Sequence, residues 1–426
     1  MRQAFAVLVG KFVLFVTRLR GGGSAFPGLV SLRLQPQLLQ RAFSRLPRGV
    51  VFVLGSNGKS TTTHMLSEIL RAHGLVVFTN PTGANLPQGV ASSLLSNVGL
   101  SGIVQADVAV LEVDEAFAVE LAEILEPRVV LGLNTQVDQL YRFFETERVG
   151  TMMLDAMTLA KDAIVSNADD PFLSTIDDRL ADTSRHPSLY YFGASKEVVE
   201  QSPNGLLNAT NFVDSSDEVL RHRPRHVEVT AYKNSQAVLH TDVRDLKITL
   251  PAPGLHYAID AAAAVSSARK ILLESWSPDE TDNAFLRMKP AYGRGEVLPF
   301  ESTSVRFVMF KNLASMQLNL DSIGDEAGKL LLAIDEGTPD MSWIYDIDFS
   351  NLARVEVVTG DKAWQMATCL QIKGVEVGLV EPDVAKAVQH MRSISLSSEM
   401  QTWIVNYEVT MIARKLIGFG ELETRS

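Results

Sequence analysis

Short runs of apolar, largely β-branched residues alternate with stretches whose apolar positions recur every three to four residues. Val50–Leu54 (VVFVL), 75–78 (LVVF), 107–115 (DVAVLEVDE), 128–134 (RVVLGLN) and 162–167 (DAIVSN) read as strands. Apolar runs without polar alternation are what strands buried on both faces of a parallel sheet require. The periodic segments between them, from Lys59 through Met65 and Leu70 and over 152–161, predict helices. After Thr183 the pattern changes. Residues 190–192, 227–232, 237–241 and 246–250 alternate as half-buried strands, and the polar span 195–225 predicts a loop. Pro251 to Gly254 then opens an alanine-rich helix, 258–273, whose small side chains suit close packing on a sheet.

From Val305 the alternation restarts. Strands are predicted at 305–310, 330–334, 354–358, 375–380 and 402–405, and helices near 315–323, 362–372, 383–391 and 407–416. This is a second, doubly wound, Rossmann-like α/β unit. The fold class is therefore α/β. The expected domains are an N-terminal helical segment (1–46), a central P-loop domain (47–297) carrying a small β-rich insertion at about 184–250, and a C-terminal α/β domain (298–426).

Before the first strand the pattern is different again. Arg2 precedes AFAVLVG, Lys11 and FVLFVT. That layout resembles a signal peptide in outline, but Lys11 interrupts it and no small-x-small cleavage site precedes Arg18. The run is also too short to span a bilayer. It reads as an amphipathic helix packed on the protein or resting near a membrane surface, in preference to a targeting segment. Residues 20–24 read as a flexible turn, followed by Pro27-Gly28 and helical material over 35–43.

Composition narrows the function. A chain of 426 residues exceeds one compact core. Its 46% apolar and 21% charged residues are those of a globular protein, and the formal charge of −11 argues against nucleic acid as a partner. The single cysteine, Cys369, excludes a disulfide framework and a cysteine-built zinc site, and fits a reducing compartment.

The stretch with the clearest chemistry is 50–66, VVFVLGSNGKSTTTHML. A strand, a glycine loop, Lys-Ser and a helix form the context of a phosphate-binding loop. Gly55, Ser56, Asn57, Gly58, Lys59, Ser60 and Thr61 make up that loop. Its glycines let backbone N–H groups turn toward an anion, and the helix N-terminus adds its positive dipole end. Lys59 can reach outer phosphates, and Ser60 can bind magnesium. Only two residues separate Gly55 and Gly58, where four are usual. Beyond the second strand, TNPTGAN (79–85) places hydroxyls and amides where open α/β sheets bind ligands. The third strand ends in acids, the usual magnesium partners beside a P-loop: Glu112 first, Asp114 and Glu115 in reserve. Asn134 and Asp138 end the fourth strand on the same crevice. Asn167 and Asp169, after the fifth, either reach nucleotide or cap the next turn. Arg294, between Gly293 and Gly295, suits a phosphate clamp. In the second domain, Lys311-Asn312 follow the first strand, and Asp335, Asp340, Asp346 and Asp348 cluster around Trp343 and Tyr345.

Taken in order, GSNGKST, TNPTGAN, LEVDEA, GLN, SNADDP, PAPGLHYAIDAAAA and YGRGE resemble the Mur ligase family. GGGSAFPG, KN and DMSWIYDIDF are similar to its MurT-type subunits of lipid II isoglutaminyl synthase. The resemblance covers nearly the whole chain. It implies an ATP- and Mg²⁺-dependent amide ligase, a glutamine-hydrolysing carbon–nitrogen ligase's synthase subunit. The α-carboxylate of D-glutamate in the lipid II stem peptide would be activated as an acyl phosphate and attacked by ammonia. Lys59 and Gly58 would hold phosphates. Ser60, Thr82 and Glu112 would surround magnesium, Asn134 and Arg294 would line the ATP site, and Lys311 would contribute from the C-terminal domain. Ammonia would come from a GatD-like glutamine amidotransferase, since Cys369 lies in a core helix pattern and cannot serve as the nucleophile of a glutaminase. Asp346, with Asp340 in reserve, would complete the partner's triad. The expected location is cytoplasmic, peripheral at the inner face of the membrane.

Three departures from the family pattern stand out. No four-cysteine ribbon is present, so no zinc is expected. Tyr257 and Asp260 stand where asparagines are usual, and no counterpart of a carbamylated lysine is found, Lys161 lying too close to the next strand. Two other readings stay open: another Mur-type amino-acid ligase, and a non-catalytic Mur-like scaffold that activates a glutaminase.

Overall fold

The computed structural model describes residues 2–19, 25–80, 84–136, 146–180, 187–202, 204, 206, 223–290, 293–323, 328–335, 341–395 and 399–420. Thr82, Asp138 and Asp340 lie outside these residues.

Among the described residues the chain builds two sheets. In chain order the first holds β1 (Val50–Leu54), β2 (Val77–Thr79), β3 (Val108–Glu112), β4 (Val129–Gly132), β5 (Ala163–Asn167), β6 (Ser188–Ala194), β7 (Arg225–Lys233), β8 (Gln236–Thr241) and β9 (Leu246–Thr249). Their spatial order is β2-β3-β1-β4-β5-β6-β7-β8-β9. All neighbours are parallel up to β6–β7, and β7–β8 and β8–β9 are antiparallel. The β-rich stretch is thus continuous with the P-loop sheet. Within 195–225, where a loop was expected, a short helix, Lys196–Glu200, forms with Ser195 as its cap.

β1 is buried at every residue because both its faces are covered. Val51 and Val53 point toward the P-loop helix (Lys59–Ala72) and the alanine helix (Leu255–Leu272). Val50, Phe52 and Leu54 face the opposite layer, which includes Leu38, Leu94 and Leu121. Ala258, Ala261, Ala262, Ala263 and Ala264 are fully buried, so the small side chains let the alanine helix sit close. N-terminal to the sheet are helices Arg2–Leu19, Phe26–Leu34 and Leu38–Phe43. Pro27-Gly28, which resemble a turn in sequence, occupy the first turn of Phe26–Leu34, where proline lacks no needed donor.

The second sheet contains β10 (Arg294–Phe300), β11 (Thr303–Met309), β12 (Lys329–Ala333), β13 (Arg354–Thr359), β14 (Glu376–Glu381) and β15 (Gln401–Val405), in the order β10-β11-β15-β12-β13-β14. β10 and β11 form an antiparallel edge, and the remaining pairs are parallel. Arg294, expected at the end of the central domain, opens this edge strand. Cys369 is buried in helix Ala363–Ile372, where its thiol donates to the carbonyl of Ile344 at 3.4 Å.

The join between β5 and β7 rests on charge. Asp169 accepts from Arg225 at 2.6 Å and from the amide of Ala194 at 2.7 Å, and both side chains are largely buried. Asp170 beside it accepts from the amides of Thr135, Phe172 and Leu173. These two acids hold the loop after β5 together. Removing Asp169 leaves the largely buried Arg225 with Glu228 alone, at 3.1 Å, and strands the Ala194 amide. Asp169→Ala should therefore lower unfolding free energy by about 3 kcal/mol, read by denaturant unfolding. An effect below about 0.5 kcal/mol would show that the pair is not structural.

Candidate functional site

The site begins where β1 ends. Gly58 adopts φ +84° and is the N-cap of the P-loop helix. A Cβ there would stand 2.5 Å from Asp260 Oδ1, so both the left-handed turn and the close approach require glycine. Beside the turn, Asn134 and Asn57 bind reciprocally: the Asn57 amide donates to Asn134 Oδ1 at 2.9 Å, and Asn134 Nδ2 donates to the Asn57 carbonyl at 3.0 Å. The short loop is thereby pinned to the end of β4.

Lys59 is buried. Its Nζ donates to the Gly55 carbonyl at 2.5 Å and to Glu115 Oε1 at 2.7 Å. The same Glu115 oxygen accepts from the Gly55 amide at 3.0 Å. Glu115, a reserve magnesium residue in the sequence, thus sits on the lysine. Ser60 Oγ donates to Glu112 Oε2 at 2.6 Å. The Glu112 backbone is clamped by Asn80, which accepts from its amide and donates to its carbonyl at 3.0 and 2.8 Å. Asp114 accepts from the Ala116 amide at 3.1 Å, as the cap of a short 3₁₀ turn.

A hydroxyl and a carboxylate in contact, beside a helix N-terminus, fit Mg²⁺. That ion takes one or two protein oxygens and completes its shell with water and phosphate. Among the described residues no group of three or more His, Cys, Asp or Glu could hold a metal. An ion carried mainly by phosphate and water is consistent with that.

A cleft of about 680 Å³, counted out to open solvent, lies between the loop and the second sheet. Asn57, Gly58, Thr61, Asn134 and Arg294, all singled out in the sequence, line it together. The opposite wall, from Met309, Leu318 and Asn319, was not read from the sequence. Nor were Gln136, two residues past GLN, and His256, in the first turn after PAPG. Their positions at a strand end and a helix start were the available signal. A pocket with an apolar wall and convergent amides suits a flat heteroaromatic ring. Asn167 lines the cleft too, though its Nδ2 is committed to the Leu133 carbonyl at 2.8 Å.

Arg294 is half-buried, and among the described residues its side chain makes no hydrogen bond or ion pair. Its charge acts on His256, Tyr257 and Asp260. Burial, aided by Arg294, pushes His256 down to about 3, so the ring is neutral. Burial pushes the Asp260 carboxyl up to about 7, against the pull of Arg294. A neutral Asp260 offers one donor and one acceptor, as an amide does.

Asn312 joins the two sheets. It caps helix Leu313–Ile323, accepting from the Ser315 amide at 3.0 Å, and pairs with Asn57 at 3.2 Å. Lys311 beside it is exposed and lies outside the cleft lining. Asp346 ends the short turn Ser342–Asp346 and is not part of this network's bonds. It is exposed, and among the described residues its carboxylate accepts no hydrogen bond. Asp348 is held by the Ser350 amide, which keeps its carboxyl below the usual range.

Residues 53–268 match the Mur ligase middle domain and residues 309–409 the MurT ligase C-terminal domain. Over 417 residues the chain is 25% identical to the subunit MurT of lipid II isoglutaminyl synthase (glutamine-hydrolyzing) from Staphylococcus aureus, covering 91% of this chain and 92% of the relative. It is 25% identical to the subunit of that name from Streptococcus pneumoniae, covering 84% and 83%. Among solved structures, MurF from Acinetobacter baumannii superposes with a TM-score of 0.67 at 17% identity, over 91% of this chain and 79% of that one. The ADP complex of MurF ligase from Thermotoga maritima gives 0.63 at 17% identity, over 91% and 82%. At these identities the solved structures speak for the fold.

The buried acid yields a prediction. Asp260 has a folded-state pKa above its unfolded value of 3.8, so the folded chain binds the extra proton and stability falls as pH rises from about 4 through about 7. Asp260→Asn removes that dependence. The variant should be the more stable form above pH 7, by at most about 4 kcal/mol, with the gap closing toward pH 4. Unfolding curves across this range check it, and a gap that widens on acidification would refute it.

Proposed function

We propose, from the premise that this chain belongs to the Mur ligase family, that it is the ligase subunit of a lipid II amidating complex. Members of that family are ATP-dependent ligases of peptidoglycan synthesis. The finer reading is that ATP activates the α-carboxylate of the stem-peptide D-glutamate as an acyl phosphate, which ammonia converts to the amide of D-isoglutamine. A GatD-like glutaminase supplies the ammonia.

One observation carries the ligation half: a buried Lys59 beside Gly58 at the head of β1, with Ser60 and Glu112 in contact at 2.6 Å next to it. The helix N-terminus and the Gly58 amide bind phosphate oxygens. Lys59 neutralises charge that builds on the transferring group, and holding the groups in line supplies most of what such transfer needs. Ser60 and Glu112, with Thr82 as the third expected residue, would hold Mg²⁺, which would supply charge neutralisation for the phosphates. Arg294 clamps phosphate from the edge of the second sheet. Asn134 and Asp260 meet the base, and Lys311 approaches as the second domain closes.

The partner half rests on the match at 309–409 and on Asp346. An exposed carboxylate without an internal bond is free to orient a histidine of another subunit. Cys369 is buried beneath helix packing, which supports a separate source of ammonia.

Full chain, glutaminase partner, lipid II, glutamine, ATP and magnesium should together give the carboxyl-to-carboxamide mass change in lipid II. Nucleotide left unbound and unhydrolysed under these conditions would defeat the reading. Lys59→Ala should lower ADP release by about 100-fold or more. Since that variant strands Glu115, Lys59→Ala/Glu115→Gln separates folding from turnover: it should keep the wild-type melting behaviour and still lack activity. Asp346→Asn should abolish glutamine hydrolysis by the complex and leave amidation driven by added ammonia intact. If glutamine hydrolysis persists, Asp346 is not the triad residue.

A further inference from the structure

Helix Arg2–Leu19 is packed the wrong way round for a soluble core. Its buried residues are the small ones, Ala6, Val7 and Gly10. A Cβ on Gly10 would meet Ser31 Oγ at 2.0 Å, so this face sits against the neighbouring helix Phe26–Leu34 as closely as backbone allows. The large apolar residues point out. Phe5, Leu8, Phe12, Phe15 and Leu19 are between 56% and 72% exposed. At about 100° per residue they fall within an arc of roughly 80°, opposite the buried face. Exposed apolar residues scattered singly are ordinary, but an aligned row of five is not.

Charge says what covers the row. Between Arg2 and Arg48 there are eight basic residues and no acidic one, in a chain of net −11. On the helix, Lys11 and Arg18 flank the row on one side and Arg2 on the other, where long stems let cations reach outward beside buried rings. Arg33 and Arg41 are exposed on the next two helices, and Arg45 is exposed in the turn that follows them. A second copy meeting this face by a two-fold axis would bring cation against cation with no acid to offset them. An anionic bilayer supplies both the apolar phase and the counter-charge. No described helix is long and apolar enough to cross a membrane, so this one lies in the interface.

We propose that the outward face of helix Arg2–Leu19 docks the protein on an anionic lipid surface. The proposal deepens the ligase reading, on which it rests only for the lipid-linked nature of the substrate. Ser31 Oγ donates to the Ala6 carbonyl at 3.2 Å and Arg2 Nε to the Leu34 carbonyl at 2.9 Å, so Phe26–Leu34 runs antiparallel to the first half of the docking helix. The Gly28 amide in turn donates to Ser92 Oγ at 2.8 Å, on helix Pro87–Asn97. That helix starts directly after the loop at the magnesium end of β2 and β3. The docking helix is thus joined, through Phe26–Leu34, to the edge of the sheet that carries the proposed site.

Flotation of the full chain with vesicles tests this, without nucleotide or substrate. Vesicles of equal parts phosphatidylcholine and phosphatidylglycerol should carry the protein at low salt, and high salt should release much of it. Phosphatidylcholine alone should carry less. Phe12→Ser/Phe15→Ser should lower the bound fraction on the order of 10-fold, with unchanged melting and unchanged amidation of a lipid-free stem peptide. Wild-type protein that stays down with anionic vesicles overturns the proposal. So does a double variant that floats equally well, or one that converts a dimer to a monomer while neither form binds vesicles. Absence of ADP release beside normal flotation would count against the ligase reading alone.

Discussion

A buried cation must be paired, and the Lys59–Glu115 contact of 2.7 Å meets that constraint at the head of β1. Without it the P-loop lysine would sit uncompensated among strands that are buried at every residue. The pair also ties the glycine loop to β3, because the Gly55 amide shares the same carboxylate oxygen. Buried ion pairs contribute little net stability, but breaking one costs several kcal/mol. Such a pair therefore fixes geometry more than it adds stability. In the proposed ligase, phosphate offers Lys59 a second anion, so nucleotide competes with a built-in carboxylate. The protein holds its lysine in readiness at the cost of part of the binding energy.

Much of this was legible in the chain because parallel strands buried on both faces leave unbroken apolar words, and ligand residues follow those words directly. Lys59, Ser60, Glu112 and Asn134 are all within a few residues of a strand end. Met309, Leu318 and Asn319 were not legible as lining. They lie more than 250 residues from Asn57 and face it only because the second sheet docks there, where Asn312 bonds Asn57. Sequence periodicity carries no information about such docking. The helix starting at Phe26 was hidden for a local reason: Pro27-Gly28 signal a turn by composition, yet proline in the first helical turn fits the helix geometry. The strand opening at Arg294 was hidden by its glycines, and by a register shift between Arg294 and Glu296 in its pairing with β11.

The exchange of an expected asparagine for Asp260 has a physical resolution in its surroundings. The carboxyl touches Gly58, lies under the influence of Arg294 and is almost wholly buried. Burial disfavours the charged form more than one neighbouring cation favours it, so the group is neutral over much of the accessible range. A neutral carboxylic acid retains an amide's capacity to donate and accept. The substitution thus alters the pH response of the pocket more than its hydrogen-bonding inventory.

Four carboxylates show how environment divides labour in one chain. Glu115 is buried on a lysine, which commits it to position that cation. Glu112 is buried but bonded to a hydroxyl, leaving an oxygen pair suited to a divalent ion. Asp260 is buried and, among the described residues, forms an ion pair with no cation, and burial raises its affinity for a proton. Asp346 is exposed and uncommitted, at the end of a turn on the second sheet. A carboxylate that must act on another subunit's histidine has to be reachable, and of the four only the last is exposed. A carboxylate beside transferring phosphate has to be fixed and shielded from water, which only a strand end in the central sheet provides. The two demands are incompatible at one position, so the proposed ligation and partner roles fall to different parts of the chain.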